Sequence, residues 1–157
     1  MTSDTAGRAR AAEPSHSIFF YIYRLNHMTM ALLDGQLDGS GVTASQYSVL
    51  DLLTRHEPVS AAELARMIDI TQQAMGTYLR TLELKGMVAR APHPESRKVV
   101  LIRRTEAGRA THAACSDLIR AAEARLFAGL PEARVAALKD ELAAVLEIAR
   151  AQATDSR

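Results

Sequence analysis

Helix and strand signals follow one another in a fixed order between Ser60 and Ile102, and this order constrains the fold more than any other feature of the chain. A short helical stretch comes first, then a turn, and then a second helix that ends at Gly86. Two strand-like runs follow, joined by a basic segment that contains two prolines. The pattern predicts a winged helix-turn-helix, whose second helix can enter the major groove of DNA while the hairpin reaches the neighbouring backbone.

Hydroxyl side chains mark four helix starts, because each can accept an unpaired amide hydrogen of a first helical turn. The four are Thr43, Ser60, Thr71 and Thr105. Gln46 and Glu63 stand three residues after the first two, which is the spacing of a capping box. The sequence therefore predicts where these helices begin.

Apolar residues at helical spacing extend this pattern to both sides of the central region. They are Ile18, Ile22, Leu25, Leu32, Leu33 and Leu37 before it, and Leu118, Leu126, Val135, Leu138, Leu142 and Val145 after it. The first of these helices carries further apolar residues outside its stripe, which indicates contact with a second subunit. We expect a mainly α-helical chain with a small β-hairpin wing: a winged helix-turn-helix at 43–104, flanking helices at 15–40 and 105–152, and tails at 1–14 and 153–157.

The helix after Thr71 has one apolar and one polar face. Met75, Leu79 and Leu82 predict the buried face. The residues expected to face DNA are Thr71, Gln72, Gln73, Gly76, Thr77 and Arg80. Glutamine can pair with adenine, arginine with guanine or a phosphate, and threonine with a base edge or methyl group. An ordinary solvated helix face is the alternative interpretation.

The predicted wing consists of strands at 87–90 and 99–103, with both prolines in the turn at 91–96. Arg97 and Lys98 follow this turn, where cations can lie along phosphates or enter a narrow minor groove. Eight lysines and arginines but four carboxylates lie between residues 60 and 104, although the whole chain has a net charge of only +1. The local excess of positive charge favours contact with nucleic acid.

Composition argues against several other classes of protein. The chain has no apolar run near the roughly 20 residues that cross a bilayer, and its single cysteine, Cys115, fits a reducing compartment, so we expect a cytoplasmic protein. We find no glycine-rich phosphate loop, nucleophile motif or suggestive pair of carboxylates, so we expect neither an enzyme nor a cofactor. The five histidines lack close ligand spacing, and we predict no metal site.

Three segments give a more specific indication. The run from Leu82 to Val88, Arg90 with the prolines at 92 and 94, and the segment from Thr105 to Arg109 resemble the MarR family of bacterial transcription regulators. The resemblance implies a homodimer held by interlocking helices at 15–37 and 105–152. It implies that the helix after Thr71 reads a pseudo-palindromic operator in double-stranded DNA, most often as a repressor.

The resemblance also implies a small-molecule effector, such as a phenolic or aromatic acid, that lowers DNA affinity. Its site would lie between the dimer helices and the DNA-binding region, with Tyr21, Arg24, His27, Met28 and Tyr47 as candidate residues. Two alternatives remain open: a winged helix that docks a protein, and a regulator that responds to thiol oxidation through Cys115.

The wing departs from the family pattern, which is an aspartate, one residue and an arginine. Counting back from Thr105 aligns Ser96 to Lys98 with that pattern. A shift by one residue aligns Glu95 to Arg97, which is chemically closer. We prefer the second alignment, which requires a local bulge in the strand.

Overall fold

Hydroxyl caps begin the helices at the four predicted positions. The computed structural model describes residues 17–155. In it, Thr43 and Ser60 accept hydrogen bonds from the amides of Gln46 and Glu63, whose side chains return to the cap amides. The other two caps accept from the amide three residues along the chain. Since each cap contributes about 1 kcal/mol, these four positions define helix boundaries locally.

The elements follow the predicted order, with one additional short strand before the helix-turn-helix. They are α1 (Ile18–Gln36), α2 (Ala44–His56), β1 (Val59–Ser60), α3 (Ala61–Met67), α4 (Gln72–Leu84), β2 (Val88–His93), β3 (Ser96–Arg104), α5 (Glu106–Phe127) and α6 (Glu132–Asp155). The strands form an antiparallel sheet in the order β1, β3, β2. The mainly helical winged fold is confirmed.

Two boundaries at the chain ends differ from our expectation or cannot be compared with it. Helix α6 runs to Asp155, so residues 153–155 are helical and not part of a C-terminal tail. The predicted tail at 1–14, the predicted helical residues 15 and 16, and residues 156–157 lie outside the described residues.

Aliphatic side chains from α2, α3, α4 and β3 form the core beneath the helix-turn-helix. The largest fully buried ones include Leu50, Leu53, Leu64, Met75, Leu79, Leu82 and Ile102. The three predicted inward residues of α4 are among them, so this prediction is confirmed. Burying such a side chain stabilises the fold by roughly 1.5–3 kcal/mol, which fixes one face of α4 against the protein.

The wing strands are longer than the sequence predicted. Pro92 lies within β2 and pairs with Val100, while the turn is reduced to Pro94 and Glu95. Our placement of both prolines in the turn was therefore wrong for Pro92. Because β2 is an outer strand of the described sheet, it has a neighbour on one side only, and a residue without an amide hydrogen is tolerated there.

The start of the wing is held tightly against α5. Gly86 lies two residues after the end of α4 with a φ of 68°, and its carbonyl accepts a 2.6 Å hydrogen bond from the Thr105 hydroxyl. The amide of Thr105 donates to the Met87 carbonyl over 3.0 Å. A Cβ atom added to Gly108 would lie 1.9 Å from that carbonyl oxygen, so no larger residue fits without displacement. The segment from Thr105 to Gly108 thus joins the backbone at the start of the wing to α5.

The flanking helices leave large apolar surfaces uncovered in the single chain. Helix α1 has no buried residue, and Phe19 and Ile18 are 82% and 77% exposed. The predicted stripe on α6 is also exposed, with Leu142 at 54% and Val145 at 49%. None of the helices within residues 17–155 combines the length and apolar character needed to cross a bilayer.

Candidate nucleic-acid interface

The outer face of α4 presents the polar residues that the sequence predicted. Gln72, Gln73, Thr77 and Arg80 are exposed, and Gly76 is partly exposed between them. The side chains of Gln72, Gln73 and Arg80 form no hydrogen bond or ion pair with another residue in the described part of the chain. Their donors and acceptors are therefore available to an external partner.

The two threonines of this face are partly engaged by the helix itself. Thr71 is exposed, and its hydroxyl oxygen accepts from the amide of Ala74 over 3.1 Å, while its hydroxyl hydrogen stays available. The Thr77 hydroxyl donates to the Gln73 carbonyl over 3.1 Å. Thr77 can consequently offer a base its methyl group or an acceptor oxygen, but not its hydrogen.

Intramolecular bonds divide the cations of this region into two groups. Lys85 donates to the Gly41 carbonyl over 2.5 Å and to Gln46 over 3.0 Å, and Arg90 pairs with Glu83 over 2.9 Å. These cations stabilise the domain. The exposed cations without a hydrogen bond or ion pair to another described residue include Arg80, Lys98 and Arg103. Only the second group carries positive charge that is fully available to a phosphate.

One ion pair joins the end of α2 to the base of the wing. The two carboxylate oxygens of Glu57 accept from the backbone amide of Arg104 over 2.6 Å and from its guanidinium over 3.0 Å. Burial raises the pKa of Glu57, but the hydrogen bonds from Arg104 and the charges of Arg104 and Arg109 outweigh it and hold this pKa below that of an ordinary glutamate. Glu57 therefore stays ionised at neutral pH and anchors β3.

The wing contains a bulge near its turn, and our choice between the two alignments remains a prediction. Pro92 pairs with Val100 but His93 pairs with Ser96, so residues 97–99 of β3 stand opposite a single peptide bond of β2. Lys98 is exposed within this bulge, and Arg97 occupies the preceding position of β3. The bulge places both predicted wing cations at the distal part of the hairpin.

The five predicted effector-binding residues fall into two locations. Tyr21, Arg24, His27 and Met28 are exposed on α1, where the Arg24 guanidinium lies 5.7 Å from the centre of the Phe20 ring. Tyr47 is partly buried on α2 and contacts α5, its hydroxyl lying 3.0 Å from the Ser116 hydroxyl. Residues 17–155 of a single chain thus form no enclosed site around these side chains.

Sequence analysis missed a polar cluster between α2 and α5. The His112 ring stacks on Tyr47 at 5.3 Å, and its Nε2 lies 3.0 Å from Asp51 and 3.3 Å from Ser116. Tyr47 and Asp51 are four residues apart, as are His112 and Ser116, so each pair shares a helix face. This matched spacing is the signal that could have identified the cluster.

Cys115 lies in the interior beside that cluster. Its side chain is fully buried within the aliphatic core. A thiol that responds to oxidants must reach solvent and be partly ionised. The position of Cys115 therefore gives no support to a thiol-responsive mechanism and fits a small packing residue.

Known proteins with similar sequences are DNA-binding regulators. A model of the MarR family matches residues 42–100. The HTH-type transcriptional repressor Rv2887 of Mycobacterium tuberculosis is 34% identical over 111 residues, which cover 71% of this chain and 80% of that protein. The family model begins before α2 and ends within β3, so it includes the helix-turn-helix and most of the wing.

Solved structures extend the similarity to the flanking helices. A mutant MarR from Escherichia coli, complexed with operator DNA, aligns with a TM-score of 0.76 and 28% identity over 82% of this chain and 93% of that one. CouR from Rhodococcus jostii, bound to p-coumaroyl-CoA, aligns with a TM-score of 0.74 and 26% identity over 83% and 92%. Together with the exposed α4 face and the bulged basic wing, these similarities show that the chain belongs to the MarR family of transcription regulators.

Proposed function

We propose that this protein is a homodimeric, sequence-specific DNA-binding repressor that a small aromatic or phenolic acid releases from its operator. The exposed polar face of α4 is the observation that carries the proposal. Met75, Leu79 and Leu82 fix the opposite face in the core, so Gln73 and Arg80 project from a rigid support. Such a protein would act where the chromosome is, in the bacterial cytoplasm.

Dimerisation would place two α4 helices on one face of the duplex. The uncovered apolar surfaces of α1 and α6 support it, because contiguous exposed apolar surface is typical of a subunit interface. A two-fold dimer matches a pseudo-palindrome with half-sites about one helical turn apart. Residues 15–40 and 105–152 then form the dimerisation region, and residues 43–104 form the DNA-binding region.

Each part of the DNA-binding region would have a separate task. Gln72, Gln73 and Arg80 would contact base edges in the major groove, and Thr77 would contact a thymine methyl group. Thr71, at the N-terminus of α4, would donate to a phosphate. Arg97 and Lys98 would contact the backbone or minor groove beside the half-site.

The effector would bind where α1 of a second protomer closes over this chain. Tyr21, Arg24, His27 and Met28 are exposed on the α1 surface that a partner would cover, and Tyr47 lies on the neighbouring helix. Arg24 can pair with a carboxylate and His27 can donate a hydrogen bond to it. The similarity to a structure containing p-coumaroyl-CoA supports an aromatic acid or its thioester. Binding would change the separation of the two α4 helices and weaken operator contact.

Titration of DNA from upstream of the gene tests the proposal. Gln73→Ala should lower operator affinity about 5- to 150-fold by removing a base contact. Arg97→Ala should weaken binding to all sequences and reduce the slope of affinity against salt concentration by about 1. Arg55→Ala, which removes the same charge from the exposed end of α2, is the matched control. Unchanged operator binding in both wing and helix variants would instead favour the protein-docking alternative.

Gly76→Ala should separate the stability of α4 from its function. An added Cβ meets no atom within 4 Å in the protein, so the free energy of unfolding should rise by about 0.5–1 kcal/mol. Operator affinity should fall, because the methyl group would occupy the space into which DNA must fit. Gly35→Ala in α1, where nothing lies within 4 Å either, is the control for stability. Undiminished operator affinity in Gly76→Ala would place this part of α4 away from the groove.

A further inference from the structure

One side chain of the last helix reaches the turn of the helix-turn-helix. The guanidinium of Arg150 donates to the Met67 carbonyl over 2.8 Å and to the Asp69 carboxylate over 3.1 Å. A third bond of 3.0 Å joins it to Glu147 on its own helix. Since Arg150 and Asp69 are 81 residues apart, this contact links two regions that are distant in the chain.

The turn that Arg150 contacts sets the direction of α4. Asp69 has a φ of 54°, in the left-handed region that aspartate and asparagine enter at lower cost than most residues. Helix α3 ends at Met67, and α4 begins at Gln72. A small rotation of the short segment between them would displace Gln72 and Gln73 relative to the groove.

An arginine suits this position because its planar group donates in several fixed directions. Its Nη2 binds the carbonyl that ends α3, while Nε binds the carboxylate of the left-handed residue. The pair restrains both sides of the turn at once. A lysine ammonium is a compact donor without this fork geometry and could not satisfy both acceptors as well.

We propose that Arg150 is a positioning residue for DNA recognition, which holds the turn between α3 and α4 so that α4 enters the groove in register. The inference rests on the proposed operator binding. This contact also connects the flanking helices to α4. A displacement of α6 would move Arg150, and with it Met67 and Asp69 in the turn that precedes α4. Arg150 acts through the protein and not through a phosphate.

Operator affinity of a set of variants tests the role. Arg150→Ala should lower operator affinity roughly three- to tenfold while leaving the dimer, the affinity for unrelated DNA and the salt slope unchanged. Asp69→Asn keeps a residue that tolerates the left-handed conformation but removes the charge. In that background, Arg150→Ala should have a smaller effect than in the wild type, because the two residues share one interaction. Arg55→Ala serves again as the matched control.

Hydrogen exchange provides a readout that does not depend on DNA. The amide of Ile70 donates to the Ala65 carbonyl over 3.0 Å and reports on the turn. Arg150→Ala should make this amide exchange faster, while amides in the middle of α2 keep their protection. Arg150→Lys should give an intermediate exchange rate for Ile70, since lysine retains the charge but lacks the planar guanidinium that donates to two acceptors at once.

Three results for Arg150→Ala would overturn the inference. The first is that neither the exchange rate of Ile70 nor operator affinity changes. The second is that affinity falls equally for operator and unrelated DNA and depends less steeply on salt concentration, and the third is that the dimer dissociates. The second would identify a phosphate contact and the third an interface residue. If the wild type binds no DNA, the proposed function fails, while hydrogen exchange still decides whether Arg150 restrains the turn.

Discussion

Leu142→Glu should convert the proposed dimer into monomers and lower operator affinity roughly a hundredfold or more. Leu142 belongs to the α6 stripe that is half exposed in the single chain, at 54%. In a dimer it would be enclosed, and a buried carboxylate without a partner is strongly unfavourable. A monomer can contact only one half-site, and the second half-site contact is what makes a dimer bind the operator much more tightly than a monomer does. Sedimentation and operator titration measure the two effects.

Ala144→Glu is the control for this change. It introduces the same charge two residues away, about 200° around the helix and opposite the apolar stripe. We expect this variant to remain a dimer and to bind the operator as the wild type does. An undisturbed dimer in Leu142→Glu would move the interface away from α6, whereas dissociation of both variants would show that the whole circumference of α6 is enclosed.

Gly108→Ala should destabilise the protein, although replacing a helical glycine with alanine is usually favourable. The new Cβ would lie 1.9 Å from the Met87 carbonyl oxygen and 2.9 Å from its carbon, both of which are backbone atoms. Neither atom can move without breaking the hydrogen bond from the Thr105 amide to the Met87 carbonyl. We therefore expect the free energy of unfolding to fall by about 1–3 kcal/mol. The Tm should fall by about 5 °C.

Gly35→Ala is again the comparison, because its added Cβ meets nothing within 4 Å. It should raise the Tm slightly, so the two glycine variants are expected to differ in sign. An equal or higher Tm for Gly108→Ala would mean that α5 and the start of the wing can separate freely. The presence of glycine at position 108, three residues after Thr105, would then need another explanation.

Helix starts could be predicted from sequence because their determinants are local. The Thr43 and Ser60 hydroxyls bond to amides three residues away, so the relevant partners are visible in a short window. The inward face of α4 follows from the same short-range periodicity. These signals, with the resemblance of the wing, were sufficient for the fold and for the candidate DNA-binding face.

Features that depend on distant partners could not be predicted. Pro92 is acceptable in a strand only because β2 lies at the outside of the sheet, and the sequence does not give the strand order. Whether Lys85 or Arg80 is available to DNA depends on partners that only folding brings close, such as Gly41. The contacts of Arg150 with Asp69 and of His112 with Asp51 likewise join segments far apart in the chain.

The proline in β2 has a consequence for how copies of the protein behave when they crowd together. An open strand edge with a full row of donors and acceptors can recruit a strand from another molecule, which leads to aggregation. Pro92 removes one donor from β2, which is an outer strand of the described sheet, so an added strand could not bond to every residue of that edge. The wing is therefore a poor template for a continuous intermolecular sheet.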